Sequence, residues 1–441
     1  MKYKSSQRAE PVTTTPEGRL YYLDWLRVIA ILSVFFYHCD RFFDFRTYPI
    51  QSTVRSLVST IHRELFQQWM MPLFFIISGA AVYYSLRSRR AGGFIKERIL
   101  RILIPLVLIG IFVIAPPQVY LERLMDGDFS GTFFEWYPHY FHGVYPFGGN
   151  FAFQGLHLWY LMYLFIFSLI FLPLFVSWRK TGSSIISRLS RLFERPWALF
   201  LLFLPLGATA LLADMTGMGV TRIMGGWDTL SYPVFFINGY LILSNERIRE
   251  VIERYGTASL AVALMLTVFY LYLQFRVNSP DISALARYNL DIHNPGAGPS
   301  AISPGWIGIS FLRGLLAWCW IIGLLGFGSR FLNFKNRFLA YANEAVLPFY
   351  ILHQTILLTI GFYVIQWDSG IGTKYIIITS TSFIVIMATY ELLVRRLNAL
   401  RFLFGMSLNK KEFLDLRSKT AFKEYDVKKT VYVNLRSQSI K

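Results

Sequence analysis

Arg27 and His38 stand eleven residues apart in a run, Tyr21–Cys39, that is otherwise almost wholly apolar. At 100° per residue, eleven steps end roughly 20° from three full turns, which puts both side chains on one helical face about 16 Å apart along the axis. Asp24, three residues before Arg27, is placed to pair with it. Such a face carries a fixed cation at one depth and, at another, a group that titrates near neutral pH, as general acid–base or nucleophilic work requires. An interfacial Asp24–Arg27 anchor with a satisfied histidine has the same spacing, so spacing alone leaves both readings open. Cys39 points about 100° away from His38, and an apolar setting disfavours its thiolate; it is not read as a nucleophile.

A second group runs from Phe74-Phe75-Ile76-Ile77-Ser78-Gly79 to Arg98 and Arg101. If a helix starts near Phe94, Arg98 and Arg101 share a face at i and i+3. Two guanidinium forks at a membrane boundary suit a phosphate-bearing ligand, although any cytoplasmic turn collects arginines for topological reasons. Glu344 and His353 are polar outliers in a third apolar segment, which Pro348 is expected to kink. Arg313 also lies within an apolar run and needs a partner or a wet cavity.

The elements that must hold these residues are membrane spans. Hydrophobic residues make up 54% of the 441 and charged residues only 16%, too little polar surface to coat several soluble domains. The runs Tyr21–Cys39, Leu65–Leu86, Ile102–Pro117, Leu156–Trp178, Trp197–Ala213, Leu230–Ser244, Thr257–Phe275, Trp306–Phe327, Ala345–Gln366 and Tyr375–Val394 give an all-α bundle of about ten transmembrane helices. With alternating sides and a cytoplasmic N-terminus, three quarters of the 44 Lys and Arg residues fall on the inside. That asymmetry places both termini in the cytoplasm, so the net charge of +18 is an orientation signal and the nucleic-acid reading is excluded. The expected layout is a cytoplasmic segment (1–19), a transmembrane domain (20–397) and a basic cytoplasmic tail (398–441) that either lies against anionic lipid or is solvated. Two cysteines exclude a disulfide framework, and no Cys/His spacing suggests a metal. The outside loop Gln118–Gly155 is long and rich in aromatic residues, Trp136 among them; loops of that length are usually functional or disordered.

Taken together these pieces resemble the acyltransferase-3 family of polytopic membrane acyltransferases. The resemblance is carried by Leu23-Asp24-Trp25-Leu26-Arg27 with His38, by the Ser78-Gly79 segment, and by Phe94, Arg98, Arg101 and Pro105. His157-Leu158-Trp159-Tyr160-Leu161 and Phe349-Tyr350-Ile351-Leu352-His353 complete it, all in family order. The opening motif and the Trp159 segment are most similar to the glucan-biosynthesis-C branch. The resemblance implies transfer of an acyl group, acetyl or succinyl, from cytoplasmic acyl-CoA to a glycan hydroxyl outside an inner or plasma membrane. It implies His38 as the catalytic histidine with Arg27 and Asp24 as its motif partners, and Arg98 and Arg101, with Ser78 and Gly79, as the CoA site. Trp136, Trp159, Glu344 and His353 are assigned to the acceptor, whose apolar sugar faces would stack on aromatic rings. Acyl-CoA enters as a donor substrate, with no tightly bound cofactor, no metal and no nucleic acid. The competing reading is a transporter in which Arg27, Arg313, Glu344 and His353 line a permeation path.

Overall fold

A computed structural model describes residues 19–180, 188, 191–277 and 304–409. The segment before Arg19 and most of the basic tail lie outside the described residues. In chain order the helices are α1 (Tyr21–Asp40), α2 (Leu57–Gln67), α3 (Met70–Ser88), α4 (Ala91–Arg98) and α5 (Ala115–Asp126), then α6 (Phe133–Trp136), α7 (Trp159–Ile170) and α8 (Leu172–Lys180). They continue with α9 (Pro196–Phe200), α10 (Phe203–Met215), α11 (Ser231–Leu243), α12 (Glu246–Val277), α13 (Pro304–Phe331), α14 (Arg337–Val364), α15 (Ile371–Thr389) and α16 (Asn398–Leu403). No strand occurs among the described residues, only an isolated bridge between Val144 and Phe151. In lipid a backbone must satisfy its own polar groups, and helices do so within one segment.

Each of the ten apolar runs becomes helix, with revised ends. Among the described residues eight helices are long and apolar enough to cross a membrane, or nine if α7 and α8, bent by 49°, are one span. The sixth run, Leu230–Ser244, forms only the short α11. The second run reaches back to Leu57, eight residues before the apolar stretch begins, because α2 is amphipathic and continuous with α3. The third runs from Ala91 to Asp126, through two wide-wound segments, Ile99–Leu103 and Pro105–Ile114, whose bonds reach back five residues. Pro105 lacks an N–H to donate.

α1 packs against α14, α13 and α3, and α3 against α11. Lipid tails are as apolar as leucine, so close packing rather than hydrophobicity must hold helices together. The α3–α11 crossing shows how. A Cβ on Gly79 would stand 2.0 Å from the Phe236 carbonyl oxygen, and one on Gly239 would stand 2.1 Å from that of Ile76. Two glycines therefore let two backbones touch. We expect Gly79→Val to cost about 1–3 kcal/mol through overpacking, seen as a lower melting temperature of the purified protein while Gly93→Val, whose Cβ would meet nothing, leaves it unchanged.

Candidate active site

Arg27, Ile31, Val34 and His38 form one stripe along α1, and two cavities of about 360 Å³ each open along it. The spacing of four, three and four residues is the helical repeat. One cavity, here called inner, is lined by Arg27 and Ile31; the outer one is lined by Val34 and His38. Met71 of α3 and Tyr350 of α14 belong to the walls of both. These two side chains are the septum between the chambers.

The inner chamber collects the cations. Arg27 Nη1 lies 3.2 Å from Asp24 Oδ1 and 3.1 Å from Asn343 Oδ1, and Asp24 also takes Arg19 at 2.8 Å. Arg98 and Arg101 both line this chamber. Arg98 packs its guanidinium 4.7 Å from the Phe94 ring centroid, and its Nε is buried without a partner among the described residues. Arg101 stays exposed, with Glu97 at 3.4 Å. Ser78 is here as well, its hydroxyl 2.6 Å from that of Tyr160. Gly79 is not: it is turned into the α11 crossing and lines neither cavity. Glu344, assigned from sequence to the acceptor, sits instead in the inner chamber, 2.7 Å from Arg401 and 3.6 Å from Arg395. Gly405, Met406 and Ser407, just after α16, complete the wall.

Three histidines stand in a row around the outer chamber. The His38 and His353 rings are 5.4 Å apart, and those of His353 and His157 are 5.0 Å apart. Their partners divide their roles. His157 Nε2 lies 3.2 Å from the Tyr350 carbonyl oxygen, so it must carry hydrogen and donate; its Nδ1 then accepts from the Gln118 amide at 3.2 Å. His353 Nδ1 donates to the same carbonyl at 2.7 Å, and the ring is fully buried. Both rings fasten Tyr350, whose hydroxyl also donates to the His157 carbonyl. His353 lines neither cavity, so its place is behind His38. His38 alone of the three lines the outer chamber with one nitrogen, Nε2, unengaged by any described residue. No group of His, Cys, Asp and Glu among the described residues is arranged to hold a metal.

Residues that the sequence reading passed over build the rest of this chamber. Arg41, Arg46 and Arg63 line it and are paired from behind with two carboxylates, Asp44 and Glu64. Arg63 Nε is 2.8 Å from Asp44, which also takes Arg41 at 2.5 Å; Arg63 pairs with Glu64, which takes Arg46 at 3.1 Å. Burial pushes the Asp44 carboxyl above its usual range, against the pull of Arg41 and Arg63. A buried network of this kind is tolerated only if its members satisfy one another. The charge pattern after α1 hinted at it, but pairing across the α1–α2 loop has no local periodicity to reveal it.

The aromatic loop supplies Tyr145, Pro146 and Gln154 to the outer chamber. Trp136, the ring that sequence assigned to the acceptor, is instead the centre of the loop's own core, with Ala115, Val119, Tyr140 and Ala152. A loop of this length needs internal burial to hold a shape, and its largest ring provides it. Tyr145 donates to Glu122 at 2.6 Å, and burial, then that carboxylate, pushes its phenol far up. Trp159 does line the outer chamber. Arg313 lines neither cavity; it donates to the Gly226 carbonyl at 2.7 Å and lies over the Trp227 ring at 5.0 Å. Of the four residues of the transporter reading, Arg27 and Glu344 line the inner chamber, and Arg313 and His353 line neither of the two.

A family model described as an acyltransferase domain matches residues 20–391. The chain belongs to the acyltransferase-3 family. It is a multi-pass membrane protein and a transferase of acyl groups. Curated relatives called glucans biosynthesis protein C include one from Salmonella paratyphi A, 23% identical over 372 residues, covering 80% of this chain and 86% of the relative. Those from Shigella dysenteriae serotype 1 and Escherichia coli O81 are 23% identical over 362 residues, covering 79% and 85%. No solved structure matches.

Arg63→Met removes the guanidinium that bridges Asp44 and Glu64, leaving each carboxylate one arginine, Arg41 and Arg46 respectively. We expect the lost charge-assisted bonds to cost about 1.5–3 kcal/mol, read as a fall in thermal stability of the purified protein, while Arg101→Met at the exposed rim changes stability by less than about 0.5 kcal/mol.

Proposed function

We propose that this acyltransferase moves an acyl group, acetyl or succinyl, from cytoplasmic acyl-CoA to a hydroxyl of an extracytoplasmic glycan, with the inner chamber facing the cytoplasm of an inner or plasma membrane. The observation that carries the reading is the α1 stripe: one helix face runs from a guanidinium chamber to an imidazole chamber, with Met71 and Tyr350 in the walls of both. An acyl-CoA is a polyphosphate head on a long flexible arm. Arg98 and Arg101 offer bidentate donors to the phosphates, with Arg27 deeper, and the arm can reach past Met71 and Tyr350 with its thioester toward His38.

The acceptor hydroxyl enters from the outer side, where Trp159 and Tyr145 offer aromatic surface and the paired arginines offer hydrogen-bond donors. His38 Nε2 takes the hydroxyl proton as the oxygen attacks the thioester carbon. The tetrahedral intermediate collapses, the carbon–sulfur bond breaks, and the departing thiolate takes the proton back from His38 to leave free CoA. In a route through an acyl-histidine, Nε2 attacks the thioester carbon and expels the CoA thiolate; the acceptor oxygen then displaces Nε2, and the freed imidazole takes the hydroxyl proton and passes it to the thiolate. A glucan acceptor accords with the name of the curated relatives.

Three outcomes test this. His38→Ala should lower acylation of envelope glycans, measured by mass spectrometry of strains with and without the gene, by about 10²–10⁴-fold in a stably inserted protein; unchanged acylation would defeat the reading. Arg98→Ala with Arg101→Ala should weaken CoA binding at least about tenfold, in calorimetry on the detergent-solubilised protein, and change the chemical step less. Met71→Trp should plug the septum, leaving the phosphate head held at Arg98 and Arg101 but abolishing transfer.

A further inference from the structure

The reacting edge of His38 depends on what holds its other edge. Nδ1 lies 3.4 Å from the Tyr48 hydroxyl, and that hydroxyl is in tight contact with the Gln354 side-chain amide of α14. Tyr48 belongs to the loop between α1 and α2, which is folded back onto the end of α1. Arg41 donates to the Thr47 carbonyl at 2.6 Å, Gln51 Nε2 donates to the Arg46 carbonyl at 2.6 Å, and the Tyr48 N–H donates to Gln51 Oε1 at 3.2 Å. Arg41 also lies over the Tyr48 ring at 4.7 Å. The loop is thus built to deliver one hydroxyl to one imidazole nitrogen.

A tyrosine hydroxyl has one hydrogen and two lone pairs, so its two neighbours fix each other. If Gln354 turns its NH₂ to Tyr48, the Tyr48 hydrogen must go to His38 Nδ1. The imidazole hydrogen is then forced onto Nε2, and His38 presents a donor where a base is needed. If Gln354 turns its oxygen to Tyr48, the order reverses. His38 Nδ1–H donates to Tyr48, Tyr48 donates to Gln354, and Nε2 keeps its lone pair toward the chamber. The amide nitrogen is the atom that meets Tyr48, and Gln354 Oε1 is buried with no partner among the described residues. A half-turn of the amide exchanges the two atoms and moves nothing else.

We propose that Tyr48 and Gln354 are positioning residues: through the chain Nδ1–H to Tyr48 oxygen and Tyr48 O–H to Gln354 oxygen, they hold His38 as the tautomer whose Nε2 is the base. This rests on His38 being the base, and gives it the orienting group that such a histidine needs. The part is taken here by two neutral residues. Besides Tyr37 and Tyr48, the groups that act on His38 are His353 on α14, His157 before α7 and Arg41 at the end of α1, and no carboxylate is hydrogen-bonded to its ring among the described residues. A neutral orienter fits that setting: it fixes the tautomer without placing an anion beside a buried imidazole. Burial pushes the Tyr48 phenol up, so the hydroxyl retains the hydrogen that the chain requires.

The tautomer is read directly from ring ¹⁵N chemical shifts of the full-length protein, labelled at histidine and held in lipid nanodiscs, with His38 assigned by the signals lost in His38→Gln. The expected spectrum has hydrogen on Nδ1 and a bare Nε2. Tyr48→Phe and Gln354→Leu should each lose that preference, whereas Gln354→Glu, which still accepts from Tyr48, should keep it. A hydrogen on Nε2 in the unaltered protein, or an unchanged tautomer in Tyr48→Phe, would overturn the proposal. So would Gln354→Glu behaving worse than Gln354→Leu, since that order belongs to an amide that donates. The spectrum needs neither donor nor acceptor, so its failure leaves the acyl-transfer reading to be decided by the His38→Ala strain.

Discussion

An ionisable group inside a membrane bundle must be given either a partner or a wet cavity, and the architecture around α1 follows from meeting that requirement twice on one helix face. At the Arg27 end the answer is Asp24 and Asn343 on one side and an open chamber on the other. At the His38 end it is Tyr48 on one nitrogen and an open chamber at the other. Between them Ile31 and Val34 keep the stripe apolar, and Met71 and Tyr350 close it. Were either end turned to lipid, its charge or its hydrogen bonds would have no counterpart, and the bundle would have no reason to enclose two cavities in line.

The septum shows how much structure one side chain can gather. Tyr350 gives its hydroxyl hydrogen to His157 and its carbonyl oxygen to both His157 and His353. Two of the three clustered histidines are thereby turned onto the Tyr350 backbone, and His38 is the one that faces the outer chamber with a free nitrogen. Composition does not separate these roles, because all three are histidines in apolar helices. Hydrogen bonds set His157 apart, both of its nitrogens being engaged, and the cavity sets His353 apart, its free Nε2 being buried away from the chamber. The same reasoning assigns Arg41, Arg46 and Arg63 to a wall held in place by Asp44 and Glu64. Arg98, with a buried Nε left unpartnered among the described residues, is the cation with capacity to spare.

The bundle, and the chemistry-bearing face of α1, were legible in the sequence because both are local. Apolar runs need only length, and Arg27 and His38 share a face by simple helical arithmetic. Arg98 and Arg101 came together for the same reason. What escaped depended on distant pairings. Glu344 reads as an isolated acid in a span, but Arg395 and Arg401, from beyond the next span, draw it to the inner chamber. Trp136 reads as a sugar platform and is spent on the loop's own core. Gly79 reads as part of a ligand motif and serves the contact with α11. Tyr48 and Gln354 lie some three hundred residues apart, with no periodicity to join them. The amphipathic start at Leu57 was missed because apolarity alone does not detect a helix that covers a polar network.

Transfer across the septum requires the two chambers to open to opposite sides of one membrane. Single cysteines replacing Arg101, at the inner rim, and Thr47, at the outer rim, probe it directly in intact cells, since the native Cys39 and Cys319 are buried. A membrane-impermeant maleimide should label position 47 from outside and reach position 101 only after the membrane is opened. Labelling of both positions from the same side would contradict the account.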